Sequence, residues 1–248
     1  MKLTILGNCG PYPGKGAGTS GYLLQGETVD IMLECGSGTV GQLWQYIEPK
    51  DLTAIILTHM HWDHVSDFMM LATTFQFAKM KGQLPEGFCA DVYMQKEPAQ
   101  MAELLANCPA NDLFRFHFIE MGDKIEIGGM QIEFTPARHP LPCVGLAVHE
   151  GEKFFYYTGD TNVIEGLAAY AKGADAVLAD CGLPNENWNE NAPHLSAGEC
   201  GKFAFDAGAK ALWLSHLPPY GDAEALIAQA KEYFAASSLT KIGETYEI

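Results

Sequence analysis

The feature that most constrains this chain is a group of four potential metal ligands that closely follows an apolar run. Ala54–Leu57 predicts a buried strand, and His59, His61, Asp63 and His64 come soon after its end. Side chains two positions apart in an extended segment point the same way, so His59 and His61 can grip one ion. Asp63 and His64 follow a turn and can face a second ion. Because unpartnered histidine and aspartate are expensive to bury, the pattern predicts a metal site.

Three later residues also follow predicted strands. His139 comes after an apolar run and before a proline, Asp160 follows an aromatic run and a glycine, and His216 ends another apolar run. Imidazole nitrogen and carboxylate oxygen are ligand types that zinc accepts at about 2.0–2.2 Å. Each residue also has a structural interpretation. His139 and His216 could be hydrogen-bonded core histidines, and Asp160 could cap a helix that starts at Val163.

Short apolar or alternating runs between glycine-rich turns predict about twelve strands and five or six helices. The loop 7–21 is rich in glycine but leads into a strand, so it is not a dinucleotide-binding turn. The predicted strands include Leu3–Leu6, Tyr22–Gln25, Val29–Leu33, Ala54–Leu57, Phe114–Ile119, Lys124–Ile127, Met130–Phe134, Val144–His149, Lys153–Tyr157, Ala176–Ala179 and Ala211–Ser215. The predicted helices are Gly36–Ile47, Ser66–Lys81, Glu97–Asn107, Val163–Lys172, Ser196–Ala207 and Asp222–Phe234.

The order of these elements indicates an α/β protein. The run from Phe114 to Tyr157 predicts antiparallel strands, and the remainder alternates strands with helices. Two sheets packed together with helices outside would satisfy this order in a single domain, residues 1–248. We interpret Lys79–Pro98, which is rich in Gly, Pro and Met, as a segment that covers the mouth of the site.

Composition narrows the class of protein. Fifteen basic and 31 acidic residues give a formal charge of −16, which disfavours polyanions such as tRNA. The seven cysteines form no C-x-x-C pair, which indicates reduced, packed thiols. No apolar run reaches the ~20 residues that cross a bilayer, and the apolar stretch at the start is too short for a secretory signal. We expect a cytoplasmic protein with no DNA-binding module.

The motif His59-Met60-His61-Trp62-Asp63-His64 resembles the H-x-H-x-D-H signature of the metallo-β-lactamase superfamily. His139 in Ala-Arg-His-Pro, Asp160 in Thr-Gly-Asp-Thr and His216 in Leu-Ser-His-Leu resemble the later motifs, in the right order. The chain is most similar to the ribonuclease Z-like phosphodiesterase branch. The loop from Leu6-Gly7 to Ser20-Gly21-Tyr22-Leu23, the turn Glu34–Thr39 and His194-Leu195-Ser196 carry that likeness. The resemblance implies a four-layer αβ/βα sandwich of two mixed β-sheets flanked by helices.

The resemblance also implies a dinuclear site. One divalent ion takes His59, His61 and His139, the other takes Asp63, His64 and His216, and Asp160 bridges them. Zinc is the expected ion, and manganese and iron accept the same ligands. The family usually carries Asp where this chain has Glu34, one methylene longer. Whether Glu34 can support a ligand histidine as that Asp does is left open.

By the same resemblance, a hydroxide between the ions attacks phosphorus, and Asp63 orients it. His194 is the candidate proton donor for the leaving group, paired with Asp180 at the end of the preceding predicted strand. The structural alternative is that His194 lies on the surface and Asp180 caps a turn.

Four functions are compatible with the resemblance. A phosphodiesterase acting on a small or single-stranded substrate is the first. The second is a tRNA 3′-processing endoribonuclease, although only the 20 residues 140–159 separate His139 from Asp160. Such enzymes carry a long tRNA-gripping arm there. The third is a thioester or lactone hydrolase, with β-lactam hydrolysis weakest. The fourth is a metal-binding or regulatory protein without activity. Family habit also suggests a homodimer.

Overall fold

Two mixed seven-stranded sheets form the centre of the molecule, which the computed structural model describes over residues 1–248. Parallel pairing joins the fourth to seventh strands of the first sheet, and antiparallel pairing joins the others. In spatial order these strands are β14 (Thr245–Glu247), β1 (Lys2–Gly7), β2 (Gly21–Gln25), β3 (Asp30–Leu33), β4 (Ala54–Ile56), β5 (Ala90–Met94) and β6 (Phe114–Phe118).

The second sheet has the same mixed character. Parallel pairing joins the first to fourth strands in spatial order, and antiparallel pairing joins the fourth to seventh. In spatial order they are β13 (Ser237–Leu239), β12 (Leu212–Ser215), β11 (Ala176–Asp180), β10 (Lys153–Tyr157), β9 (Val144–Glu150), β8 (Met130–Pro136) and β7 (Lys124–Ile127).

Strand alternation creates the layers. Ile31 and Leu33 belong to the apolar cluster between the sheets, whereas Met32 packs on the outer side with Phe68 and Phe75. A third cluster lies outside the second sheet. The outer layers hold α1 (Thr39–Leu43), α2 (Trp62–Val65), α3 (Phe68–Met80) and α4 (Ala99–Ala106) on one side, and α5 (Leu167–Tyr170), α6 (Ala197–Ala207) and α7 (Ala223–Lys231) on the other. The predicted four-layer αβ/βα sandwich is confirmed.

The prediction for Lys79–Pro98 is wrong. This segment contains strand β5, which lies inside the first sheet between β4 and β6. Because β4 and β5 are parallel and His59 follows the carboxyl end of β4, the chain before Ala90 lies at the opposite edge. It therefore does not cover the site. β6 pairs parallel to β5, so placing Phe114–Ile119 in the antiparallel run was also wrong.

Two further predictions fail locally. The helix predicted at Val163–Lys172 shrinks to Leu167–Tyr170, and Asn162 rather than Asp160 accepts a hydrogen bond from the Val163 N–H, at 2.6 Å. Strands β5, β13 and β14 were not predicted, and the last two have only three residues each. No helix in the structure has the length and apolar character that a membrane span requires. The single-domain assignment stays a prediction.

Candidate metal centre

The predicted ligands converge because the strands that precede them end at one edge of the two sheets. His59 lies three residues beyond β4, and His139 lies three residues beyond β8. Asp160 lies three residues beyond β10, and His216 follows β12 directly, with φ +53°. The remaining three predicted ligands lie at the short helix α2: His61 is its N-cap residue, and Asp63 and His64 are within it. The structure therefore brings all seven side chains together.

Three imidazoles form the first group, which we call the three-histidine cluster: His59, His61 and His139. His61 Nδ1 lies 3.0 Å from His59 Nε2 and 2.9 Å from His139 Nε2. Nitrogens that share a tetrahedral ion at about 2.0–2.1 Å lie about 3.3 Å apart. The observed spacings are slightly tighter, so a small adjustment of the rings would admit one ion.

The second group, the aspartate cluster, consists of Asp63, His64 and His216. Asp63 Oδ2 lies 3.1 Å from His216 Nε2 and 3.6 Å from His64 Nε2. All three side chains are buried, whereas His61 and His139 are only half-buried. The two clusters therefore differ in both charge and solvent access.

Asp160 lies between the clusters. Its Oδ2 is 3.7 Å from His59 Nε2, 3.3 Å from His64 Nε2 and 3.2 Å from His216 Nε2. Its Oδ1 is buried without a hydrogen-bond partner, and so are both ring nitrogens of His64. Buried polar atoms are normally paired, and ligation by a cation is one way to satisfy them. The donor set and its unsatisfied atoms therefore fit the binding of a divalent metal.

Protonation distinguishes the clusters further. Burial lowers the pKa of His59 well below its usual value, and the neighbouring His64 adds to that effect. Burial also opposes the charged form of His64, but Asp160 and Glu34 outweigh it and raise the pKa of His64 well above normal. The pKa of His216 rises as well, because Asp160 and Asp63 outweigh its burial. Without cations, protons on His64 and His216 offset the buried carboxylates.

Glu34 interacts with histidines of both clusters. The side chain is fully buried, in a left-handed backbone conformation with φ +60°. It accepts hydrogen bonds from the Thr58 N–H (3.2 Å), from the Thr58 hydroxyl and from the Tyr157 hydroxyl (3.3 Å). Its Oε1 lies 3.4 Å from His64 Nδ1, while Thr58 Oγ1 lies 3.1 Å from His59 Nδ1. The longer side chain thus reaches His64 directly and His59 through Thr58.

A second support holds the three-histidine cluster. His139 Nδ1 lies 3.1 Å from the carbonyl oxygen of Pro193, which directs Nε2 toward the cluster when Nδ1 carries the proton. Asn162 anchors the same loop by donating to the Ala192 carbonyl at 2.6 Å. Sequence reasoning missed Thr58, Pro193 and Asn162. Only the adjacency of Thr58 to His59 could have identified one of them.

His194 lies beside the aspartate cluster. Its Nδ1 is 2.8 Å from Asp180 Oδ2, and its ring stacks on that of His216 with centroids 4.7 Å apart. Burial disfavours the charged form of His194, but Asp180 outweighs this and raises its pKa to about 9. The other oxygen of Asp180 lies 3.5 Å from His216 Nδ1. Ser196 caps α6, accepting a hydrogen bond from the Glu199 N–H at 3.2 Å.

The fold and the site together define the family. The model of the beta-lactamase superfamily domain matches residues 30–217, so the chain belongs to the metallo-β-lactamase superfamily, as the motifs predicted. The probable metallo-hydrolase YhfI of Bacillus subtilis is 28% identical over the full length of both chains. Its crystal structure superposes with a TM-score of 0.92, at 26% identity, over 99% of this chain and 98% of that one.

Ribonuclease Z proteins are also among the relatives, so the predicted resemblance to ribonuclease Z-like proteins is confirmed. A ribonuclease Z of Methanosarcina acetivorans is 22% identical over 94% of this chain and 93% of its own length. The short form of human tRNase Z superposes with a TM-score of 0.80, at 19% identity, over 100% of this chain and 99% of that one. At that identity the second likeness concerns the fold alone.

Proposed function

We propose that this protein is a metal-dependent phosphodiesterase that holds two divalent ions, with zinc as the first candidate. The observation that carries the proposal is the position of Asp160 Oδ2 between the two ligand clusters, with buried atoms of Asp160 and His64 left without hydrogen-bond partners and an imidazole–carboxylate pair nearby. We assign His59, His61 and His139 to one ion, Asp63, His64 and His216 to the other, and Asp160 to both. Ions held there would activate water and offset charge on the phosphoryl oxygens.

His194 serves as the proton donor in this proposal. The raised pKa of about 9 in the metal-free protein favours the charged imidazole, and Asp180 fixes Nδ1 so that Nε2 can face a leaving oxygen. The Thr161 and Gly182 N–H groups donate to Asp180 at 3.0 and 3.1 Å, which holds the carboxylate in place. Asp63 orients the attacking water.

The test compares His194→Ala with the natural protein on a dinucleoside monophosphate, whose alkoxide leaving group needs a proton, and on bis(p-nitrophenyl) phosphate, whose leaving group does not, with metal content measured in parallel. Loss of a general acid lowers turnover of the dinucleoside monophosphate by about 100-fold or more while both ions remain bound, and lowers turnover of the p-nitrophenyl diester much less. His149→Ala is the matched control, because His149 stacks on Phe154 away from the site. Unchanged turnover of the dinucleoside monophosphate in His194→Ala would remove the proton-donor role. Absence of hydrolysis by the metal-replete natural protein would reject the phosphodiesterase.

A tRNA 3′-processing endoribonuclease is the second candidate, favoured by the similarity to ribonuclease Z sequences. The hairpin of β9 and β10, joined across Gly151, fills the connection in which such enzymes carry their arm. The charge of −16 also works against a polyanion. Incubation with a precursor tRNA tests this candidate. A cut at the discriminator base would establish the activity.

Thioester and lactone hydrolysis remain alternatives that a substrate panel would separate from phosphodiester hydrolysis. The homodimer and the cytoplasmic location stay predictions. Light scattering tests the first, and cell fractionation tests the second.

A further inference from the structure

Two exposed tyrosines lie on loops that meet beside His216. Tyr220 is 91% exposed and Tyr12 is 48% exposed, yet their ring centroids are only 6.3 Å apart, with a 51° angle between the planes. Neither ring belongs to the apolar clusters of the fold. A tilted aromatic pair at this distance is mutually stabilising, so Tyr12 supports one face of Tyr220 and leaves the other free.

The two loops are tied to the metal centre. The Gly10 N–H donates to the Leu217 carbonyl at 3.1 Å, and the Leu217 N–H donates to the Asn8 carbonyl at 2.7 Å. Gly10 packs so closely on the His216 ring that a Cβ there would lie 2.0 Å from a ring carbon. The backbone that leads to Tyr12 therefore touches a proposed ligand, and Tyr220 follows that ligand by four residues.

The loops are also stiff. Pro11 and Pro13 flank Tyr12, and Pro218 and Pro219 precede Tyr220. Proline fixes φ and removes conformations, so the rings lose little freedom when a ligand binds. A Cβ on Gly14 would lie 3.8 Å from the Pro219 side chain, so the two loops are in contact. The two tyrosine rings are thus preorganised beside the candidate metal centre.

We infer that the free face of Tyr220 stacks against the nucleobase of a small nucleotide whose phosphodiester lies at the metal centre. The inference rests on the proposed function, because that function places a phosphodiester beside His216. Aromatic rings stack on nucleobases of any identity, so this contact needs no hydrogen bonds between the tyrosines and the base. The overall charge of −16 favours a substrate with few phosphates over a long polyanion.

The experiment measures binding by calorimetry for two probes that share a phosphate, adenosine 5′-monophosphate and ribose 5-phosphate. In the natural metal-loaded protein, the base should tighten binding by about 5- to 100-fold. Tyr220→Ala should reduce this ratio to about one with metal content unchanged, whereas Tyr220→Phe should retain it. Tyr12→Ala should give an intermediate ratio. Tyr233→Ala, which removes an exposed tyrosine beyond the far end of α7, should behave as the natural protein.

The outcomes separate the two proposals. Equal affinity for both probes in the natural protein, or a ratio that survives in Tyr220→Ala, overturns the base-stacking role even if phosphodiesters are hydrolysed. A ratio that depends on Tyr220 supports the role. If that ratio appears in a protein that hydrolyses no phosphodiester, the nucleotide site stands and the proposed function fails.

Discussion

The two halves of the candidate metal centre lie on either side of Asp160 but differ in charge. The three-histidine cluster offers neutral imidazoles, two of which are half-buried, and the pKa values of all three are lowered, first by burial. The aspartate cluster is buried and adds the carboxylate of Asp63, and Glu34 and Asp180 lie behind its two histidines. Anionic ligands attract a divalent cation more strongly than neutral ones at equal distance. We therefore expect the aspartate cluster to hold its ion more tightly.

The largest effect should come from removing what the halves share. Asp160→Ala should release both ions and abolish hydrolysis, a loss beyond the roughly 10- to 100-fold that removal of an outer supporting group costs. Elemental analysis and turnover measure the effect. Asp112→Ala is the control, because Asp112 forms an exposed ion pair with Lys79. If Asp160→Ala kept two ions, the bridging assignment would be wrong.

Separate ligand substitutions should then reveal the asymmetry. His139→Ala should leave about one ion bound per chain, held by the aspartate cluster, because that cluster keeps its carboxylates. His216→Ala should weaken ion binding at the aspartate cluster, and less chelator should then be needed to remove metal from the protein. Equal chelator sensitivity of the two variants would show that the additional carboxylates do not distinguish the halves.

The pH dependence should distinguish the halves next. Below their raised pKa values, His64 and His216 carry protons that an ion must displace, so ion affinity at the aspartate cluster falls as pH falls. His59 has a lowered pKa and is neutral already, so the three-histidine cluster should respond less above neutral pH. Calorimetry in two buffers of different ionisation enthalpy counts the released protons. Zero proton release at neutral pH would contradict this account.

The smallest effect concerns Glu34. Glu34→Gln removes the charge that helps to raise the pKa of His64, and we expect ion affinity at the aspartate cluster to fall by about 10- to 100-fold. The proton release on ion binding should fall too, because less charge then favours protonated His64. Glu34→Asp retains the charge on a shorter side chain and should lose less. A larger loss of ion affinity in Glu34→Asp than in Glu34→Gln would mean that the length of the Glu34 side chain matters more than its charge.

Much of the site could be predicted because its strongest signals are local. The spacing of His59, His61, Asp63 and His64 after a buried run indicates a metal site without any knowledge of packing. Glu34 was left open, because a one-methylene difference can be judged only against the positions of its partners. Thr58 and the Pro193 carbonyl were missed, since threonine and backbone groups carry no distinctive pattern in a sequence.

Some features of the fold could also be predicted from the sequence, and others could not. Hydrophobic periodicity placed most strands and helices within a few residues, because burial on one face imposes that period on the residues themselves. The sequence determined the element types and the identity of the ligand-bearing turns. Which strands pair was decided by the tertiary structure, as β5 and β6 show, since pairing depends on contacts between distant residues. The same holds for the contact of Asp180 with His216, which exists because β11 lies beside β12 in the second sheet.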